Sequence, residues 1–330
     1  MLGLVGASSA GPRRPESQSA MPTSHRLLNI DLRKRQRRGR MFGLLSQVLV
    51  SGISLGSIYG LIALGYQLTY VTSRTVNFGQ GESLAAGALV GLSLVPFVGF
   101  WAMLPLVVVF GGLYGLAIER IAVAPSLKSK SEGWILATIA VGFIVKNVAQ
   151  NIWGEEDLAF PSPLPTISVQ IGSAFITPAE IMVIAASLSI MALVEVFSRF
   201  TLLGRAFAAT GDDREAAGLM AIDTGKVIAG SFALSCATAA YAGVLIAPIT
   251  PTGAGMGLML ALKGFAAGVL GGLSSRLGAM VGGFIIGLAD AITAVCISPG
   301  YNGVPALLVL LAALAFRPEG LFGKILPQKV

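Results

Sequence analysis

From Phe42 onward the chain alternates long apolar runs with short polar interruptions. A bilayer core about 30 Å thick needs about 20 consecutive apolar residues in helical form. Runs of that order lie at residues 44–70, 79–98, 101–123, 134–153, 178–198, 227–247, 255–273, 278–297 and 303–317. They predict nine spans. Eight or ten fit the same pattern, because 42–71 is overlong and 254–272 is glycine-rich enough to be a broken or re-entrant piece. The predicted fold class is all-α, a polytopic transmembrane helical bundle of about 8–10 spans. Gly52, Gly56 and Gly60 recur every four residues, as do Gly264, Gly268 and Gly272, and the pairs Gly278/Gly282 and Gly283/Gly287. Small residues at this spacing let helix backbones approach closely in lipid.

One polar island, Gly204 to Val227, breaks the pattern most clearly, because it separates two runs each long enough to cross a bilayer. Asp212 is placed to cap a short helix and Glu215 to close a capping box, which predicts a solvent-side helix over 213–221. Ala216, Ala217, Met220 and Ala221 share one stripe at helical spacing, a low ridge suited to a groove on another protein. On these residues alone, an ordinary well-capped interhelical loop is the competing reading.

Polar residues also interrupt the apolar runs. Asn77 to Glu82 reads NFGQGE, and a carboxylate at mid-membrane costs about 2.5 to 3.5 kcal/mol on insertion scales. Glu82 therefore has a partner or lies near an interface. The segment is read as a helix break lining a pathway or gate, or as a capped helix start at the cytoplasmic surface. Lys146, Asn147, Gln150 and Asn151 form one polar stripe, expected to face the bundle interior or the outer mouth, with snorkelling of Lys146 as the simplest account. Glu195 and Arg199 are spaced for an i to i+4 pair, and Lys263 and Asp290, in the seventh and eighth spans, are candidates to pair.

Composition narrows the function. Only 12% of residues are charged, against about 25% in soluble domains. The formal net charge of +7 does not mark a nucleic-acid face, because the basic residues sit in short runs beside apolar segments, as cytoplasmic loops require. Arg120, Lys128 and Lys130, then Arg199, Arg205, Arg214 and Lys226, then Arg276, then Arg317, Lys324 and Lys329 fall on one side of nine spans, while Gly154 to Ile176 has no Lys or Arg and carries Glu155, Glu156 and Asp157. The same parity puts Met41 outside and Arg74 inside. Residues 1–40 hold Ser, Pro and a cluster from Arg33 to Arg40, so they are expected to be a disordered basic tail or to precede the true start at Met41. Cys236 and Cys296 lie inside predicted spans, so no disulfide framework is expected, and the one histidine, His25, leaves no His-based catalytic or metal site in the interior. Gly225 and Lys226 are followed by Val227, so there is no Walker A motif and no means of hydrolysing nucleotide.

Arg205, Ala206, Arg214, Glu215, Ala216, Ala217, Leu219, Met220 and Ile222 of the island resemble the cytoplasmic coupling loop of permease subunits in branched-chain amino acid (LivH-type) ATP-binding cassette importers, except that Ala221 stands where that family has Gly. Three further stretches agree in order. NFGQGE is similar to the family's INFAHGE, with Gln80 for His. KGFAAGVLGGLSSRLGAMVGGFIIGLAD from Lys263 is similar to its KAFAAAVLGGLGS and GAMIGGLILGLAE run, with Ser274 for Gly and Asp290 for Glu. RPEGLFG from Arg317 matches its terminal RPxGLFG. The resemblance covers Met41 to Gly323 and implies a permease domain over 41–325 with its coupling loop at 204–227. It implies ATPase-coupling roles for Arg205, Asp212, Arg214, Glu215, Ala216, Ala217 and Met220, and makes Asn77, Gln80, Glu82, Lys146, Lys263 and Asp290 pathway or gate candidates. The implied partners are a second permease subunit, two cytoplasmic ATPase subunits that use the ATP, an external solute-binding protein and membrane lipid, with no nucleic acid. No cofactor, metal or catalytic residue is expected in the chain, and the bacterial inner membrane is its expected place. Branched-chain amino acids head the substrate classes, ahead of other amino acids, urea and small amides. A secondary transporter or channel for a small polar solute is the alternative; it has no use for the island helix.

Overall fold

The computed structural model describes residues 23–323 apart from 130, 166, 172–173 and 318, with backbone alone over 23–42. The helices are α1 (Thr23–Ser73), α2 (Gln80–Ile118), α3 (Ala124–Lys128), α4 (Trp134–Trp153), α5 (Pro178–Phe200), α6 (Leu202–Asp212), α7 (Arg214–Leu219), α8 (Thr224–Ile246), α9 (Met256–Gly271), α10 (Arg276–Cys296) and α11 (Val304–Phe316). A π-helical turn at Glu119–Val123 joins α2 to α3, and β1 (Val169–Ile171) pairs antiparallel with β2 (Ala174–Ile176). Caps fix several starts. Thr177 and Glu180 form a reciprocal capping box on α5, and the Asp223 and Ser275 side chains accept from Lys226 N and Gly278 N at the heads of α8 and α10; each such cap contributes about 1 kcal/mol.

Among the described residues seven helices are long and apolar enough to cross a membrane. One of these, Gln80–Lys128, is broken at Gly99, whose φ of 74° and ψ of 167° turn the chain. Residues 80–98 and 100–118 are thus separate rods, as the expected spans 79–98 and 101–123 require. With the shorter α9 added, helix occupies all nine expected segments. The backbone is also helical from Thr23 to Arg40, where irregular chain is expected; a helix already nucleated extends at one hydrogen bond per residue fixed. Residues 1–22 of the expected tail lie outside the described residues.

The two ends of the bundle of residues 43–323 differ in chemistry. At one end Arg74, Arg199, Asp212, Arg276 and Phe322 border a single cavity. At the other, Phe175 N donates to Gln47 Oε1 at 3.0 Å, and Leu158 and Thr252 form a backbone bridge. The first end carries the basic loops and the second the acidic loop, in agreement with the parity read from the sequence.

Between these ends, α1 is the central rod. Ile58, Tyr59, Leu61, Ile62, Leu64 and Tyr66 are all buried, whereas Leu113, Ile121, Leu136, Phe143, Leu193 and Leu311 stand exposed on the outer helices, as lipid-facing residues do. The spaced glycines of α1 and α10 meet one another. A Cβ on Gly283 would overlap the backbone of Gly60, and one on Gly287 the backbone of Gly56. Gly271 and Gly278 likewise bring the facing ends of α9 and α10 into backbone contact. The C-terminal segment closes that elbow: Leu321 N donates to Leu270 O at 2.7 Å and Phe322 N to Gly271 O at 3.0 Å, satisfying two carbonyls at the end of α9.

Gly287→Leu is therefore expected to lower the stability of the detergent-solubilised protein by at least about 3 kcal/mol, the upper range of overpacking. Gly218→Ala, where an added Cβ meets nothing within 4 Å, is expected to leave it unchanged or slightly raised. Thermal unfolding of the two variants beside the parent checks the contrast.

Candidate coupling helix and buried polar sites

The island folds as two short helices at the basic end. Thr201 caps α6, accepting from Gly204 N at 3.1 Å, and α6 runs through Asp212. The cap of α7 is Asp213, whose Oδ1 accepts from Glu215 N at 3.1 Å and Ala216 N at 3.0 Å. Asp212 is thus the last residue of α6 and not the expected cap, because the helix preceding it extends one residue further than the polar run suggests. The ridge also differs from the expected stripe. Ala217 is buried against the body of the protein, while Leu219 (88% exposed), Met220 (78% exposed) and Ala216 face outward, flanked by the exposed Arg205, Arg214 and Glu215. Leu219, absent from the expected stripe, is the larger apolar contribution to the projecting edge.

The exit from α7 closes with Ile222 N donating to Ala217 O at 3.1 Å and Ala221 N to Gly218 O at 3.2 Å. This is a Schellman arrangement, which needs a left-handed residue between cap and exit. Ala221 takes it, with φ of 63°. The tight exit thus keeps the geometry that glycine serves, at the steric cost of a Cβ.

The Asn77–Glu82 segment lies deep in the bundle rather than at its surface. Gln80 Nε2 donates to Ile62 O at 3.0 Å and Gln80 Oε1 accepts from Ser235 Oγ at 3.3 Å. Ile62 is eleven residues before the end of α1, a depth of about 16 Å. Arg74 ends α1 with a left-handed φ of 58° and donates to Gly211 O at 3.2 Å. From there residues 75–79 run inward without helix, so the rod 80–98 begins at mid-depth. Backbone of this kind inside a membrane protein needs local partners. Asn77 Oδ1 accepts from Gly79 N at 3.0 Å, Asn77 Nδ2 donates to Cys236 Sγ at 3.2 Å, and Ser83 Oγ donates to Cys236 O at 2.9 Å. The half-buried Glu82 lies against Gly142 of α4, one turn from the half-buried Lys146. Of the rest of the Lys146 stripe, Gln150 is half-buried and the two asparagines do not face the bundle interior. Asn147 and Asn151 are exposed and donate to Phe143 O and Asn147 O, four residues back in their own helix. This local bonding lets an amide sit on an outer face.

Lys263 and Asp290 do pair, Nζ to Oδ2 at 2.8 Å, with both side chains almost wholly buried. Two partners not read from the sequence complete the cluster. Lys263 Nζ also donates to Asn302 Oδ1 at 2.7 Å and Tyr59 OH at 3.2 Å, and Tyr59 OH donates to Asp290 Oδ2 at 3.1 Å. All three ammonium protons are used, and Asp290 Oδ1 is left without a partner. The cluster ties α1, α9, α10 and the turn before α11 together. Tyr59 looks like one more core residue in an apolar run, and Asn302 like a turn residue beside Gly303, so neither carries a sequence signal. Of the six pathway candidates, Lys263 and Asp290 share this cluster, and Asn77 and Gln80 share the break after α1. Glu195, expected to pair with Arg199, does so and also accepts from Arg276 Nε at 2.7 Å.

Two outcomes follow. Lys263→Met strands a buried carboxylate and is expected to cost about 3 to 5 kcal/mol, with the double variant Lys263→Met, Asp290→Leu recovering most of it; a double-mutant cycle on thermal unfolding reads both. Ala221→Gly removes the left-handed strain and is expected to stabilise the protein by about 1 kcal/mol, measured in the same assay.

Comparison with known proteins agrees with these features. The family described as branched-chain amino acid transport system / permease component matches residues 48–314. The high-affinity branched-chain amino acid transport system permease protein LivH of Salmonella typhimurium is 32% identical over 302 residues, covering 86% of this chain and 97% of that one. The corresponding BraD permease protein of Pseudomonas aeruginosa is 30% identical over 303 residues, with the same coverage of each chain. A probable LivH permease of Methanocaldococcus jannaschii is 27% identical over 296 residues, covering 84% of this chain and 92% of that one. This multi-pass membrane protein belongs to the permease-component family of branched-chain amino acid transport systems.

Proposed function

We propose that the chain is the membrane-embedded subunit of an ATP-driven importer for branched-chain amino acids in the bacterial inner membrane. It works with a second permease subunit, two cytoplasmic ATPase subunits and an external solute-binding protein, and holds no cofactor itself. The observation that carries this reading is α7: a capped helix at the basic end that projects Leu219 and Met220 into water, where a free monomer gains nothing from them. Such an edge fits a groove on a separate motor, with Arg205, Arg214 and Glu215 supplying charge around it. Close backbone packing of α1, α9 and α10 gives the motor a stiff body to move, and nucleotide acts through its different affinities for two packings.

The charged double variant Leu219→Asp, Met220→Asp is expected to reduce ATP-driven leucine uptake by at least about tenfold, as loss of an interface anchor does, while thermal stability stays at the parent value. Glu215→Lys is expected to weaken co-purification of the ATPases. Uptake in proteoliposomes, read beside the stoichiometry of the purified complex, tests the assignment; unchanged uptake from the double variant would count against α7 as the coupling element.

A further inference from the structure

A groove of about 640 Å³ runs along the outside of the bundle between α8, the second rod of α2, α5 and α6. Asp223 and Lys226 stand at its basic-end mouth, and every other lining residue among those described is apolar or glycine. From Lys226 to Ala237, the last lining residue on α8, the helix rises about 16 Å. That is about half the hydrocarbon thickness of a bilayer, the depth of one leaflet. The glycines here are unlike those between α1 and α10. An added Cβ at Gly112 meets only Ala233 O, at 4.0 Å, and one at Gly230 only the Phe207 ring, at 3.7 Å, so these positions open a space and do not close a helix contact. Leu202 and Leu203 on the rim are 77% and 58% exposed. No water is present at this depth to fill an apolar groove, so its occupant is apolar too.

The mouth shares Asp223 and Lys226 with a second cleft, of about 500 Å³, to which Arg120 and Lys128 belong. Glu119 lines that cleft but is only 6% exposed. Lys226 pairs with Asp223 at 2.9 Å in the open, with both side chains more than half exposed, where such a pair contributes little. Arg120 and Lys128 are exposed and form no ion pair among the described residues. Uncompensated positive charge thus sits where the apolar groove begins.

We propose that the groove and its mouth bind one anionic phospholipid of the cytoplasmic leaflet, an acyl chain lying along Gly112, Gly230, Ala233 and Ala237 and the phosphate meeting Arg120, Lys128 and Lys226. A chain of one leaflet matches the groove in length, and its headgroup then falls at the level of the cations. A zwitterionic lipid fits the groove equally but lacks the net charge that the mouth attracts. Because α6 and α8 both wall the groove, the lodged chain braces α6, and with it α7, against the bundle. Nothing in this site depends on which solute the chain carries.

The full chain, purified in detergent and stripped of lipid, is titrated with dioleoylphosphatidylglycerol, dioleoylphosphatidylcholine or soluble glycerol phosphate. Native mass spectrometry reads the retained lipid and thermal unfolding its effect. The phosphatidylglycerol is expected to be retained at one per chain and to raise the unfolding temperature at a concentration at least about tenfold below that of the phosphatidylcholine, and glycerol phosphate to do neither. Gly112→Leu and Gly230→Leu, which fill the groove from facing helices, are each expected to abolish retention while unfolding like the lipid-free parent. Replacing Arg120, Lys128 and Lys226 together by glutamine is expected to remove the preference for the anionic lipid. No retention by the parent, equal affinity of the parent for the two lipids, undiminished retention in both glycine variants, or a preference that survives the triple variant overturns the proposal. So does a Gly112→Cys chain that cross-links to another subunit in native membranes, since the groove is then a seam between subunits.

Discussion

The constraint on which the rest of the structure depends is the backbone contact between α1 and α10. In lipid, apolar side chains gain little by leaving one apolar environment for another, so association of spans relies on close packing and on hydrogen bonds. Gly56 and Gly60 on one helix and Gly283 and Gly287 on the other leave no layer of side chains between them. That approach sets how near α9 lies to α1, and hence whether Lys263 reaches Tyr59 and Asp290 together. A cluster with three ammonium donors engaged tolerates little displacement, so the glycine stripes and the ion pair reinforce each other.

Much of this was legible in the sequence. The apolar runs gave the helical segments because a span must be long, apolar and helical, and the basic loops gave the sides. The glycine spacing showed that close contacts exist, though not that the stripe in α1 faces the stripe from Gly283, since periodicity identifies a face without naming its neighbour. Lys263 and Asp290 were readable as partners because two opposite charges in apolar surroundings have few alternatives. Tyr59 and Asn302 were not, because a tyrosine in a core and an asparagine in a turn are ordinary in both places.

What the sequence left open shares one cause: polar segments are well marked and their depth poorly. Asn77 to Glu82 reads from sequence as either a helix break within the bundle or a capped start at its surface, and residues 75–79 carry it inward, where Ile62 O and Ser235 Oγ meet Gln80. Asn147 and Asn151, read as facing the bundle interior or the outer mouth, are exposed, and each amide bonds within its own helix. At the island helix the cap is Asp213 where Asp212 is expected, and of the expected stripe Ala217 packs inward while Leu219 joins Ala216 and Met220 outward.

The clasp of Leu321 and Phe322 on the end of α9 bears on the order in which the chain matures. The carbonyls of Leu270 and Gly271 are formed some fifty residues before their donors. While the ribosome adds α10 and α11, those acceptors have no protein partner from the last segment, and the elbow between α9 and α10 lacks its cover. Completion of that corner thus waits until residues 321 and 322 are made, so a chain stopped between α11 and Leu321 leaves an otherwise inserted bundle unfastened.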